Sequence, residues 1–156
     1  MYTDSALLDA LRSLPESWRQ QLAAASAELR TRPEPETWSA IEYAAHSRDI
    51  TALHAYGVEQ ALTRDEPTFP AIADDLVDTA AVAYADADPD EVLQALGVAA
   101  ERLTRLADDA GVDAWTRGVT VGETRSDVRR LLEHALHDSR HHLDDVERGL
   151  ASLHAD

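Results

Sequence analysis

Apolar residues recur along this chain at steps of three and four, the period of a helix with one buried face. Leu7, Leu11, Leu14, Trp18, Leu22, Ala25 and Leu29 form the first stripe. Pro15 falls inside it, and a proline ring clashes with the carbonyl one turn back. A kink or break is expected there, with Glu16 and Ser17 restarting the helix. The run from Arg32 to Glu36, with prolines at 33 and 35, ends the segment in a short turn. Thr37 is a good N-cap for a second helix that runs to about Arg64, its stripe being Trp38, Ile41, Ala45, Ala52 and Tyr56. Asp88, Pro89 and Glu91 read as N-cap, first-turn proline and capping-box acid of a third helix. Its stripe is Val92, Leu96, Ala99, Leu103, Leu106 and Ala110, and Gly111 stops it. A loop with Trp115, Arg117, Gly118 and Gly122 follows, and Thr124 or Ser126 opens a fourth helix. The last stripe is Val128, Leu132, Ala135, Ser139, Leu143, Val146, Leu150 and Leu153. Four amphipathic helices with one stripe each predict an all-α four-helix bundle.

The second and third helices are not joined by a tight turn. Between Arg64 and Arg102 stand ten acids and no base, with a short helix predicted near 71–84. Neighbouring antiparallel helices need only a few linking residues, so this segment is long enough to be a crossover. Its charge fits a solvated acidic surface better than a docking site.

Composition narrows the function. The 156 residues suit one domain, 1–156, with a real core. With 28 Ala and one Phe, a sheet-rich fold is disfavoured. All fourteen basic residues are Arg against thirty acids, a net charge of −16. Such a chain repels phosphate backbones and anionic bilayers, which excludes nucleic-acid and membrane partners. No window approaches the ~18 apolar residues of a spanning helix. Asp4 and Asp9 stand where a signal peptide needs basic and then apolar residues, so a soluble cytoplasmic protein acting on a small molecule is expected. There is no Cys, which leaves His and carboxylates as the metal ligands. Neither a G-x-S-x-G elbow nor a phosphate-binding glycine loop is present. The three Trp read as core anchors, Trp115 being the one placed to stack on a ligand. An apolar fraction of 44% leaves surface for a homodimer that salt does not weaken, because salt screens the mutual repulsion.

The chemistry gathers in the histidines. Five of the seven lie between 134 and 154, and another, His46, is on the second helix. At about 100° per residue, His134, His137 and His141 turn away from the apolar stripe toward water. His142 sits at the stripe's edge beside Leu143 and Val146, with Asp138 one turn earlier on the same flank. His46 stands beside Ala45, with Asp49 three residues on. His46, Asp138 and His142 are a candidate three-ligand metal set. Spacing alone also fits a flank of paired polar residues. His137 with His141 is a second register that would give three His ligands.

Further landmarks accompany these residues: Trp38 eight residues before His46, Asp65-Glu66-Pro67-Thr68-Phe69-Pro70, Tyr84 ahead of Asp88-Pro89, Trp115-Thr116-Arg117, and the run from His137 to Val146. In this order they resemble the DinB/YfiT-like superfamily of four-helix-bundle proteins. The resemblance implies an up-down-down-up bundle, with metal ligands on His46, Asp138 and His142. The family places His or Glu where this chain has Asp138, whose shorter side chain reaches less far. It implies a divalent ion (zinc, nickel or iron) that activates water or a low-molecular-weight thiol such as mycothiol or bacillithiol. The implied reactions are S-transfer, isomerisation or hydrolysis; a non-catalytic metal-binding stress module is the alternative. The related mycothiol-dependent maleylpyruvate isomerases carry an extra C-terminal domain, which disfavours that reaction for this chain.

Overall fold

The computed structural model describes residues 2–71 and 80–155. The described residues fold into four long helices: α1 (Asp4–Ala24), α2 (Ala40–Thr63), α3 (Pro89–Ala110) and α4 (Val128–Leu153). Residues 80–84 are also helical. The remainder of the helix predicted near 71–84 lies, but for Ala71, outside the described residues.

A few contacts fix the helix directions. Arg129 near the start of α4 pairs with Asp4 at the start of α1, and the Trp18 indole donates to Ser139 Oγ at 2.8 Å, so α1 and α4 run parallel. Arg12 near the start of α1 meets Asp108 near the end of α3 at 2.9 Å, so these two are antiparallel. Ala52 and Ala55 of α2 share a groove with Ala95 and Ala99 of α3, and farther along Glu59 meets Arg102 at 2.7 Å. Those two helices are parallel. His46 faces Asp138, whereas the later His54 faces the earlier His134, so α2 and α4 are antiparallel. The order is up-down-down-up, as expected. Each of α1 and α2 packs on both α3 and α4, and they face each other across the diagonal. Because α2 and α3 are parallel, the end of α2 and the start of α3 lie at opposite ends of the bundle, about 33 Å apart for a helix of α3's length.

The core has two parts. At one end Leu7, Leu11, Leu14, Val58, Leu103, Val128, Leu132 and Leu136 pack with Trp115 and Val119. At the other, Trp18, Leu22, Ile41, Ala44, Ala45, Tyr84, Val92, Leu96 and Val146 pack together. Among the described residues no helix is long and apolar enough to cross a membrane.

Several local expectations are corrected. α1 continues through Pro15 instead of breaking. Leu11 and Leu14 before it and Trp18 and Leu22 after it are all buried, and their packing outweighs the ~3 kcal/mol that an interior proline costs. The N-cap of α2 is Ser39, not Thr37. Ala52 and Tyr56 are exposed, and α2 instead buries Ala44, Thr51, His54, Ala55 and Val58. On α3 the stripe ends at Ala107, because a strict 4-3 repeat drifts around a straight helix.

The loop before α4 contains a small sheet. After a short 3-10 turn (Val112–Thr116), β2 (Gly118–Val121) and β3 (Thr124–Asp127) form a hairpin, and β1 (Thr68–Phe69) pairs parallel to β2. Gly122 turns the hairpin at φ 60°, a conformation that suits glycine. Asp127, the last residue of β3, caps α4 by accepting from Arg130 N, so neither Thr124 nor Ser126 opens that helix. Trp115 is buried, donating to Ala107 O at the end of α3. It is a core anchor, not a stacking platform. Arg117 donates to Ala61 O and Arg64 O at the end of α2.

Candidate metal centre

The site is held at the start of α2. Ser39-x-x-Glu42 is a capping box: the buried Glu42 carboxylate accepts from Ser39 N at 2.9 Å and from Ser39 Oγ at 2.8 Å. Arg32 forks onto the same carboxylate. Burial pushes the Glu42 pKa up, but the hydrogen bonds from Arg32 and Ser39 outweigh it and hold the group below the usual range. The first turn of α2 is thereby fixed to the α1–α2 connection, and His46 follows one turn after Glu42.

His46 on α2 meets Asp138 and His142 on α4. One ligand atom from each lies within 4.8 Å of the others. His46 Nε2 is 4.0 Å from Asp138 Oδ2, and His142 Nε2 is 3.7 Å from Asp138 Oδ1. Both separations exceed a hydrogen bond. Nitrogen and oxygen ligands on a tetrahedral ion sit about 3.3–3.6 Å apart, so the three side chains would draw closer around an ion. Asp138 Oδ2 is buried with no hydrogen-bond partner among the described residues. A buried carboxylate oxygen left unpaired between two imidazoles is the residue pattern that a cation satisfies. Divalent zinc, nickel or iron suits this donor set.

Aromatic rings close around the group. The Trp38 ring lies 5.2 Å from that of His46, Tyr43 lies 5.0 Å from His142, and Tyr84 stands edge-on to His46 at 6.3 Å. Burial among them holds His46 below the ordinary imidazole pKa; His142 acts in the same direction and Asp138 opposes it. A neutral imidazole is the form that ligates. Tyr84 OH donates to Asp49 Oδ2 at 2.9 Å. Burial and that bond push the phenol well above its usual pKa, so it keeps its proton.

The remaining candidates fall elsewhere. Asp49 is engaged by Tyr84 and by Arg48 at 2.7 Å, outside the three-ligand group. His137 and His141 are exposed, their rings stacked 6.2 Å apart, and neither belongs to the three-ligand group. His134 does more than face water: its Nδ1 lies 2.9 Å from Nε2 of the buried His54, whose own Nδ1 is 2.7 Å from Ile50 O. Helix phase on α4 alone missed this pair. The available signal was His54, eight residues after His46 and so two turns down the same flank.

Comparison with known proteins agrees with the fold. The model of the DinB superfamily matches residues 5–146. The chain belongs to the DinB superfamily. Among solved structures it is similar to YfiT from Bacillus subtilis, described as a probable metal-dependent hydrolase with an unusual four-helix bundle topology. The TM-score is 0.84 at 17% identity, covering 100% of this chain and 92% of YfiT. The superposition spans every helix of this DinB-superfamily chain, the α2–α4 seam included, and at that identity it speaks for the fold. A comparison with curated protein sequences returns no match.

Proposed function

We propose that this DinB-superfamily chain holds a divalent metal ion on His46, Asp138 and His142 and uses it to activate a small nucleophile. The observation that carries the reading is the convergence of three ligand atoms within 4.8 Å around the unpaired Asp138 Oδ2. When bound, such an ion lowers the pKa of a coordinated water or thiol toward neutrality. His46 and His142 supply neutral nitrogen donors, Asp138 supplies the compensating charge, and Trp38, Tyr43 and Tyr84 exclude bulk water from one side. Three protein ligands leave room for a substrate.

The first reaction proposed is S-transfer with a low-molecular-weight thiol as co-substrate. Hydrolysis is the second reading, favoured by what is said of YfiT. A homodimer in the cytoplasm belongs to the same proposal, with exposed Leu53, Tyr56 and Val98 offering apolar surface for a second copy. Titrating Co²⁺-loaded protein with cysteine, mycothiol and bacillithiol separates the reactions. A sulfur-to-cobalt charge-transfer band, with an apparent thiol pKa below the usual ~8.5, supports thiol chemistry. An unchanged spectrum together with ester hydrolysis supports the second reading. Metal binding with neither leaves a non-catalytic metal-binding module.

A further inference from the structure

The ring of His142 is gripped from the side opposite its ligating nitrogen. Its Nδ1 lies 3.0 Å from Asp145 Oδ2. A carboxylate oxygen accepts, so Nδ1 carries the hydrogen and the lone pair is left on Nε2. That lone pair is the one directed toward Asp138, 3.7 Å away. A neutral imidazole in water favours the other tautomer, with the hydrogen on Nε2, which would turn a donor rather than a lone pair toward the site. The tautomer that a metal needs must therefore be imposed.

Asp145 is placed to impose it. It lies three residues after His142 on the same face of α4, and its side chain is only 17% exposed. Its two oxygens have separate partners: Oδ2 takes His142, and Oδ1 is held by Arg148. His141 Nε2 stands 3.6 Å from Oδ2, beyond hydrogen-bond reach, and so does not displace His142. Tyr43, against the ring of His142, limits its rotation.

We propose that Asp145 is a positioning residue: it fixes His142 as the Nδ1–H tautomer and aims Nε2 at the space shared with His46 and Asp138, with Arg148 steadying Asp145 in turn. This rests on the metal reading above. Partners of this kind, outside the ligand set, set ligand orientation and basicity in metal sites generally.

The test compares wild type with Asp145→Ala and Asp145→Asn by two measurements. The first is the pair of imidazole nitrogen chemical shifts of His142 in metal-free protein, which report the tautomer without any metal. The second is Zn²⁺ affinity by competition with a chelating dye. Asp145→Ala is expected to move His142 toward the Nε2–H form and to weaken Zn²⁺ binding by about 10–100-fold. Asp145→Asn retains an oxygen that accepts from Nδ1–H and is expected to recover most of the affinity, a rescue that a merely structural helix-surface pair would not produce. Asp145→Leu repeats the measurement if alanine loosens the helix. Wild-type tautomer and wild-type Zn²⁺ affinity in both Asp145→Ala and Asp145→Leu would overturn the role while leaving the metal reading intact. A wild type that binds no Zn²⁺ overturns the metal reading and the positioning role with it.

Discussion

His54 and His134 bridge α2 to α4 two turns along α2 and one turn along α4 from where His46, Asp138 and His142 bridge the same helices. In the first pair the protein satisfies the buried ring. The Ile50 carbonyl accepts from His54 Nδ1, so His54 Nε2 is the acceptor and His134 Nδ1 the donor. In the second group no hydrogen bond joins the three ligands, Asp138 stands 3.7 and 4.0 Å from the two imidazoles, and one buried carboxylate oxygen has no partner among the described residues. Similar residues on one seam thus have opposite capacities. A polar pair that closes on itself ties two helices together, whereas a converging set with unused lone pairs retains capacity for a ligand.

The sharpest way to break this comparison is to remove one histidine from each group. His142→Ala is expected to abolish stoichiometric Zn²⁺ or Ni²⁺ in the purified protein, while His134→Ala and His137→Ala leave it nearly intact. Elemental analysis after dialysis measures this. Metal that survives in His142→Ala and disappears in His137→Ala would favour the exposed His137–His141 register instead.

Stability of the metal-free protein should separate the groups by sign. His134→Ala leaves His54 Nε2 buried without a donor, an expected loss of about 1–3 kcal/mol. Asp138→Asn removes the charge of a half-buried carboxylate whose Oδ2 has no hydrogen-bond partner among the described residues, and is expected to stabilise the metal-free fold by no more than about 1 kcal/mol. Urea denaturation reads both. If both variants lose stability equally, the distinction between a saturated and an unsaturated cluster is wrong.

The smallest expected effect is in pH. Burial holds His54 below the ordinary imidazole pKa of about 6.5; the hydrogen bond to Ile50 opposes that shift and His134 adds to it. The unfolded chain therefore binds a proton that the folded chain refuses. Stability tied to this residue is present above about pH 6.5 and is lost as pH falls toward the lower folded value. His54→Gln is expected to flatten the decline in denaturation midpoint between about pH 7 and pH 5 relative to wild type. Identical slopes would show that His54 takes up its proton in the fold as readily as in the unfolded chain.

Much of this was legible along the chain. Most of the stripes of α1 and α4 survive, because large Leu, Val and Trp side chains at helical spacing leave one face to bury; Leu29 falls beyond the end of α1, and Leu143, Leu150 and Leu153 are half-buried. The stripe of α2 was misread because alanine and small polar residues carry a weak periodic signal. A helix packed on two neighbours also buries a wider arc, which here includes Thr51, His54 and Ala55. The hairpin before α4 was missed because its strands are four residues each and β3, Thr-Arg-Ser-Asp, is polar. The β-branched run Val119-Thr120-Val121 ending at Gly122 was the available clue.

For the candidate site, helix phase placed Asp138 and His142 on one flank and His46 at the edge of another, since i,i+4 spacing on a single helix is a local property. The order of apolar and polar residues thus determined four amphipathic helices, a long crossover and the flank on which chemistry was available. Tertiary structure alone decided that α2 and α4 are antiparallel neighbours. That pairing sets His46 opposite Asp138 and His142, turns His54 onto His134, and leaves Asp49 to Tyr84. The reason is physical: a helix period sets angles about its own axis, while the depth and azimuth at which two helices meet depend on how all the buried side chains pack at once.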